Sequence, residues 1–203
     1  MAPPTELEIA DWRRRVFALY AAVRAAEPAA AWERWRSERE RLYREHPASP
    51  VPADRRAAFG PGSHFPYDPG LRALAQVEPV TRAGLDVPAS DGAVHRFERF
   101  ALARFSLGSQ EHVLELYWLT TYGNGVFLPF GDATNGDATY AAGRYLLDTV
   151  KGADLGMREG ALVLDFNFAF NPSCAHDPRW SCPLAPPANR LQVPVGGGER
   201  APA

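Results

Sequence analysis

Residues 95–107, HRFERFALARFSL, and 111–122, EHVLELYWLTTY, decide the fold of this chain. Both are rich in aromatic and branched side chains, which suit a pleated, half-buried surface, and Gly108-Ser109 between them is a turn dipeptide. The pair predicts an antiparallel hairpin. In its second strand Leu114, Leu116 and Trp118 share one face, with Glu115 and Tyr117 on the other. Asn124-Gly125 then offers the positive-φ positions of a tight turn into VFLPF at 126–130, so the meander continues.

Two further strands are expected downstream. In GRYLLDTV, residues 143–150, Arg144, Leu146 and Asp148 lie on one side. In LVLDFNFAF, residues 162–170, Leu162, Leu164, Phe166, Phe168 and Phe170 alternate with Val163, Asp165, Asn167 and Ala169. Asp165 and Asn167 are then roughly 7 Å apart on one face, at a rise near 3.4 Å per residue. Beside Val163 and Ala169 that face is only partly wet, so the carboxylate needs a partner. Arg144, whose guanidinium grips a carboxylate bidentately, is the expected one.

Upstream, Thr5 and Glu8 have capping-box spacing, and Ile9, Trp12, Val16, Leu19 and Val23 follow at steps of three and four. The opposite face, with Glu8, Asp11, Arg14 and Arg15, reads as solvated. After Pro28 a second helix runs to Glu45 with Trp32, Trp35 and Leu42 on one face. Residues 46–91 are punctuated by Pro and Gly, and read as an irregular strap with at most one short helix near Leu71. His46 and His64 lie in this strap and read as loop residues. The last residues, 196–203, read as a frayed tail.

With 203 residues, 46% hydrophobic and 23% charged, the chain suits one soluble globular domain with a sizeable core. The expected organisation is helices over 5–45, the strap over 46–91, a β core over 94–195 and the tail. The net charge of −2 argues against a nucleic-acid partner, because phosphate binding needs clustered Lys and Arg. No stretch approaches the roughly 20 apolar residues of a membrane span, and the N-terminus has no apolar signal-peptide core. A cytoplasmic location, without a membrane partner, is expected. Two cysteines are too few for a disulfide scaffold, so both read as thiols or ligands.

The chemistry concentrates between Val126 and Leu191. GDATNGDATYAAG, residues 131–143, places Asp, Thr, Asn and Gly at turn spacing. Asp132 and Asp137 do not meet the calcium-loop pattern of alternate ligands closing on Glu. Cys174, His176 and Cys182 leave three readings open. Their spacing departs from the usual zinc knuckle and lacks a fourth ligand. Cys174 and His176, two apart, would point alike in an extended chain and could serve as nucleophile and base. Otherwise the thiols pack in the loop, close enough to oxidise. Which cofactor, if any, the chain uses is left open by the sequence.

The segments FLPFGDATNGDATYAAGRYLLD, LDFNFAFNPSCAHDPRWSCPLAPPANRLQVPV and GGGER, with HPASPVP and FPYDP upstream, resemble the bacterial and archaeal family catalogued as domain of unknown function 1684. Asp132, Thr134, Gly136, Thr139, Tyr140, Gly143, Arg144 and Tyr145 match its first motif. Asp165, Phe166, Asn167, Asn171, Pro172, Cys174 and Cys182 match the rest. Phe170 and His176 stand where the family pattern has tyrosines, and Ala185 where it has proline. The resemblance implies a compact, mostly β domain behind N-terminal helices, and no reaction.

The expected fold is therefore α+β and mainly β: two N-terminal helices packed on an antiparallel, barrel-like sheet. Two functions are carried forward. In one, a small-molecule pocket, catalytic or binding, is lined by Asp132, Thr139, Tyr140, Arg144, Asp165, Asn167, Asn171 and Cys174. In the other, the same side chains form a buried network in a structural or interaction module. A cavity beside them, or its absence, separates the two.

Overall fold

The computed structural model describes residues 3–120 and 123–202. Helix α1 spans Glu6–Arg24 and begins with the expected capping box: Glu8 N–H donates to Thr5 Oγ1, and Thr5 N–H to Glu8 Oε2. Helix α2 spans Pro28–Glu45, with Pro28 in the first turn, where its missing N–H costs nothing. Val16, Leu19, Tyr20 and Val23 of α1 and Ala31, Trp32, Trp35 and Leu42 of α2 are buried. Trp35 ties the two helices together by donating from Nε1 to the Tyr20 hydroxyl at 3.1 Å. Asp11, Arg14 and Arg15 pair with one another on the wet face of α1.

Seven strands among the described residues form one antiparallel sheet, in the order β5-β4-β3-β2-β1-β7-β6. They are β1 (Arg72–Pro88), β2 (Val94–Leu107), β3 (Gln110–Leu119), β4 (Gly125–Phe130), β5 (Arg144–Asp148), β6 (Met157–Arg158) and β7 (Ala161–Asp165). The Gly108-Ser109 hairpin is as expected, and Gly108 takes a φ of +59°. No continuous ladder closes the sheet. Its outer strand β5 is nonetheless joined to the chain beyond β7 by one residue pair, Tyr145 and Phe170, whose N–H groups donate reciprocally at 2.8 and 2.9 Å. Ala73, Ala75, Ala101, Ala103, Leu114, Leu116, Leu128, Leu146 and Val163 of the sheet share one core with the helices' apolar faces. A second cluster, including Val87, Phe97, Tyr117, Phe127 and Tyr145, also contains side chains from the sheet.

Three sequence expectations are corrected. The strap over 46–91 contains β1, the 17-residue strand that joins β2 to β7, so the β core starts at 72 and not 94. Pro79, one of the prolines that punctuate this stretch, sits at the register shift where the ladder to β2 skips, and a bulge tolerates a residue without N–H. The strand at 162–170 stops at Asp165, where the chain turns into a 3₁₀ helix, Phe166–Phe168. The tail is also no tail: Gly197, Gly198 and Glu199 are buried, and Glu199 N–H bonds Ala169 O at 2.8 Å. Gly198, at φ +73°, lies so close to the Ala169 carbonyl that a side chain there would collide with it.

No helix among the described residues is long and apolar enough to cross a membrane.

Candidate functional site

Arg144, at the start of β5, is fully buried and faces Asp132 rather than Asp165. Its Nη2 donates to Asp132 Oδ2 at 3.0 Å and to the Val195 carbonyl at 2.9 Å, and its Nη1 reaches the carbonyls of Gly197 and Glu199. Asp132 Oδ1 in turn accepts from Thr134 N–H, Thr134 Oγ1 and Val195 N–H. Thr139 Oγ1 lies 2.8 Å from Thr134 Oγ1, and Asn135 Nδ2 donates to the Tyr140 carbonyl at 2.7 Å. These side chains hold the 131–143 turn and pin the C-terminal segment across the end of the sheet.

Asp165 makes a separate cluster. Its Oδ1 accepts from Asn167 N–H and Nδ2, which caps the 3₁₀ turn, and its Oδ2 accepts from Arg72 Nη1 at 3.2 Å. Asn167 also exchanges two bonds with the Asp68 backbone, at 2.9 and 2.7 Å. The expected Arg144–Asp165 pair is therefore replaced by Arg144–Asp132 and Arg72–Asp165. Ending β7 at Asp165 is the cause, because the cap turns that carboxylate back on its own loop. Burial raises the Asp165 pKa against the bonds from Asn167 and Arg72.

Glu199 centres a third cluster, which the sequence reading missed. Oε1 accepts from Arg39 Nε at 2.9 Å and Nη2 at 2.7 Å, and Oε2 accepts from Asn171 N–H at 2.6 Å. Arg39 also donates to the Tyr43 hydroxyl. Burial opposes the Glu199 charge, but Arg39, His64, His176 and the Asn171 N–H outweigh it and hold the carboxyl below its usual range. His64, which the sequence assigns to a loop, is buried against Trp35, with Nδ1 3.6 Å from Glu40 and Nε2 3.9 Å from Glu199. Both carboxylates already accept from Arg36 or Arg39, so burial dominates and lowers the His64 pKa to about 4. Two signals for this cluster are in the sequence. Arg39 is four residues beyond Trp35, on the apolar face of α2, and three glycines precede Glu199.

Asn171 is the expected site residue that borders open space. It lines a cavity of about 280 Å³ together with Val51, Arg55, Phe59, His176 and Arg200, and an adjoining one of about 70 Å³ that Tyr43 and Cys182 also line. Its Nδ2 donates to the Arg200 carbonyl, whereas its Oδ1 and the Nε2 of His176 are buried without a hydrogen-bond partner. Another cavity, of about 310 Å³, lies between the α1–α2 turn and β6–β7. Of its three lining arginines, Arg24 and Arg72 are bonded to Asp154 and Asp165 and Arg158 lies 3.8 Å from Glu159, which leaves less unspent there.

Cys174 and Cys182 meet: Cys174 N–H donates to Cys182 Sγ at 3.4 Å, and the Tyr140 hydroxyl lies 3.9 Å from Cys174 Sγ. His176 does not join them. The 3₁₀ turn Ser173–Ala175 rotates its ring away to pack on Tyr43 and Phe59, with centroids 5.2 and 5.8 Å away. Neither the cysteine–histidine zinc set nor the nucleophile–base pair is therefore assembled by these residues. Against burial, the neighbouring Cys182 thiol and the Tyr140 hydroxyl draw the Cys174 pKa below the ordinary thiol range.

The profile of a family described as "Protein of unknown function (DUF1684)" matches residues 57–200. The chain is also similar to an uncharacterized protein of Haloarcula marismortui, known from a solution NMR structure. The two share 34% identity over 81% of this chain and 89% of that one, with a TM-score of 0.59. No curated protein matches.

Proposed function

The chain belongs to the DUF1684 family of proteins of unknown function, whose description names no reaction, and we propose from its own residues that it binds a small anionic molecule in the Asn171 cavity. The observation that carries this reading is the pair of unspent buried atoms, Asn171 Oδ1 and His176 Nε2, on two residues lining one cavity. Leaving each unpaired costs about 1–3 kcal/mol, which a ligand with its own donor would recover. Arg55 and Arg200, also in the lining, supply the positive charge. Each is steadied by a bond to a backbone carbonyl, of His176 and His64 respectively, and keeps further N–H donors for an anion.

Val51, Ala58 and Phe59 make the remaining wall apolar, so the ligand has a short apolar body behind its charged head. The volume, about 280 Å³, is close to the lower end of the usual small-molecule range. Asp132, Arg144, Asp165 and Asn167 support the second reading for themselves. Enclosed and bonded to one another or to the backbone, they act as scaffold for the loops and not as lining. A cytoplasmic location accords with the unbridged thiols of Cys174 and Cys182.

A thermal-shift panel of short-chain hydroxycarboxylates and hydroxyalkyl phosphates, whose hydroxyl can donate to Asn171 Oδ1, tests the reading. A bound ligand at one hundred times its Kd stabilises by about 2.7 kcal/mol. Arg55→Met and Arg200→Met should each weaken that shift at least about tenfold in ligand concentration, the loss of one charge-assisted bond. If no compound raises the Tm, or if both variants respond like the parent, the cavity is not a ligand site and the scaffold reading covers the whole polar set.

A further inference from the structure

Of the described residues lining the Asn171 cavity, His176 alone has a side chain whose charge ordinarily changes near neutral pH. Its ring packs edge-on against Tyr43 of α2 and Phe59, and its backbone carbonyl accepts from Arg55, so the imidazole is held in place at the cavity wall. Nε2 nevertheless has no hydrogen-bond partner. Charged and titratable groups face the ring from three sides. Arg39 and the Tyr43 hydroxyl come from α2, Arg55 from the 51–59 segment, and Glu199 and Arg200 from the C-terminal segment. Glu199, the one carboxylate among them, is already bonded to Arg39 and to the Asn171 N–H, and Asp177, next along the chain, pairs with Arg179. The ring is thus short of negative charge to share.

Resting on the reading of this cavity as an anion site, we infer that it takes up a proton together with its anion, the proton going to His176, so that the ligand is captured at mildly acid pH and released as the pH rises. An anion seated with Arg55 and Arg200 puts negative charge beside the ring. That charge favours the imidazolium and gives an Nε2–H donor the acceptor it lacks. His176 then has a higher pKa in the complex than in the free chain. Between the two values the complex holds more protons, so by linkage the affinity climbs as the pH falls through that window, and proton and anion strengthen each other equally.

The surroundings assign the proton to His176 and to no neighbour. In the free chain burial lowers its pKa, Glu199 pulls the other way, and Arg39 and Arg55 add to the lowering, so the ring is neutral where an exposed histidine is half charged. Burial pushes the Tyr43 hydroxyl up, so it stays a phenol, and Glu199, held below the usual carboxyl range, stays ionised over the same window. His64 lies behind Phe59, with ring centroids 6.3 Å apart, and takes its proton near pH 4, below the window. Arg55 and Arg200 keep their charge throughout and supply the part of the attraction that does not vary with pH.

The test is calorimetric titration of the full chain with isethionate, whose sulfonate keeps its charge across the range and whose hydroxyl can donate to Asn171 Oδ1. The Kd of the parent should fall at least about fivefold between about pH 8 and about pH 5.5. Near the middle of that range, titrations in two cationic buffers of unlike ionisation heat should show a net fraction of a proton taken up per isethionate bound. His176→Gln keeps a polar side chain that does not titrate. It should take up no proton, and at every pH it should bind no more tightly than the parent does at the alkaline end. Binding by the parent with a constant Kd, or with no proton uptake, overturns the inference and leaves the anion site standing; that result needs no variant to fold. A His176→Gln profile as steep as the parent's gives the proton to another group and overturns the assignment. No isethionate binding even at the acid end also overturns the inference, and it removes the anion site as well if the thermal-shift panel gives no response.

Discussion

Arg144 ends among four acceptors, of which only Asp132 is charged; the carbonyls of Val195, Gly197 and Glu199 complete the set. Removing either partner of the buried pair strands the other charge, at a cost of about 3–5 kcal/mol. In denaturant unfolding, Arg144→Met and Asp132→Asn should each show such a loss, and the double variant less than the sum. Arg144→Met combined with Asp165→Asn should be additive within about 0.5 kcal/mol, because those two residues share no partner. Strong coupling between them would contradict the assignment of Asp165 to Arg72. His64 gives a second test. Its pKa is about 4 in the folded chain and near 6.5 when unfolded, so between those values only the unfolded chain takes up the proton. Its contribution is complete above about pH 6.5 and is lost as the pH falls toward 4, by about 3 kcal/mol in total. Glu199, with its pKa lowered, begins to lose its own contribution only below the ordinary carboxyl value, at the acid end of this window; His176, lowered by burial, adds to the slope across it, and Glu40, Arg36 and Arg39 also face the ring. A His64→Phe variant should flatten the melting profile between pH 6.5 and 4; an unchanged slope there would remove His64 as its source.

The segment after β7 and the C-terminal residues act as one element, although they are far apart in sequence. Glu199 N–H bonds Ala169, Glu199 Oε2 bonds Asn171, and Arg144 reads the backbone from Val195 to Glu199. A chain ending at Gly196 therefore loses the only carboxylate bonded to the buried Arg39 guanidinium among the described residues, together with two of Arg144's carbonyl acceptors. Such a chain should keep its far-ultraviolet circular dichroism but lose near-ultraviolet signal and cooperative melting. Cooperative melting at the full-length temperature would show that the tail is dispensable. Reading these residues as frayed was reasonable on composition, since glycine-rich ends are normally loose. Here the glycines instead let the backbone lie against Phe166 and Ala169 where a side chain would not fit.

Across the whole molecule, the helices cover the sheet through one shared core in which Trp35 meets Phe168 edge-on at 5.3 Å. A chain starting at Pro47 would expose that surface and leave Glu199 without Arg39. It should be insoluble or bind hydrophobic dyes, and parent-like cooperative melting would overturn the single-domain expectation. The two helices, the Gly108-Ser109 hairpin and the antiparallel class were legible in the sequence, because each rests on local spacing: a capping box, a 3.6-residue period, a two-residue turn. The strand at 72–88 was not legible, because a bulge that accommodates Pro79 is created only by pairing with β2. Sequence also marked Asp132, Arg144, Asp165, Asn167, Asn171, Cys174 and Cys182 as residues with chemistry to satisfy. Which of them meet was settled in three dimensions. Asp165 turns back to cap its own loop, Arg144 finds Asp132, and Glu199 reaches Arg39 from 160 residues away. Local spacing carries no information about such pairings, since they depend on where the packed sheet brings distant segments together.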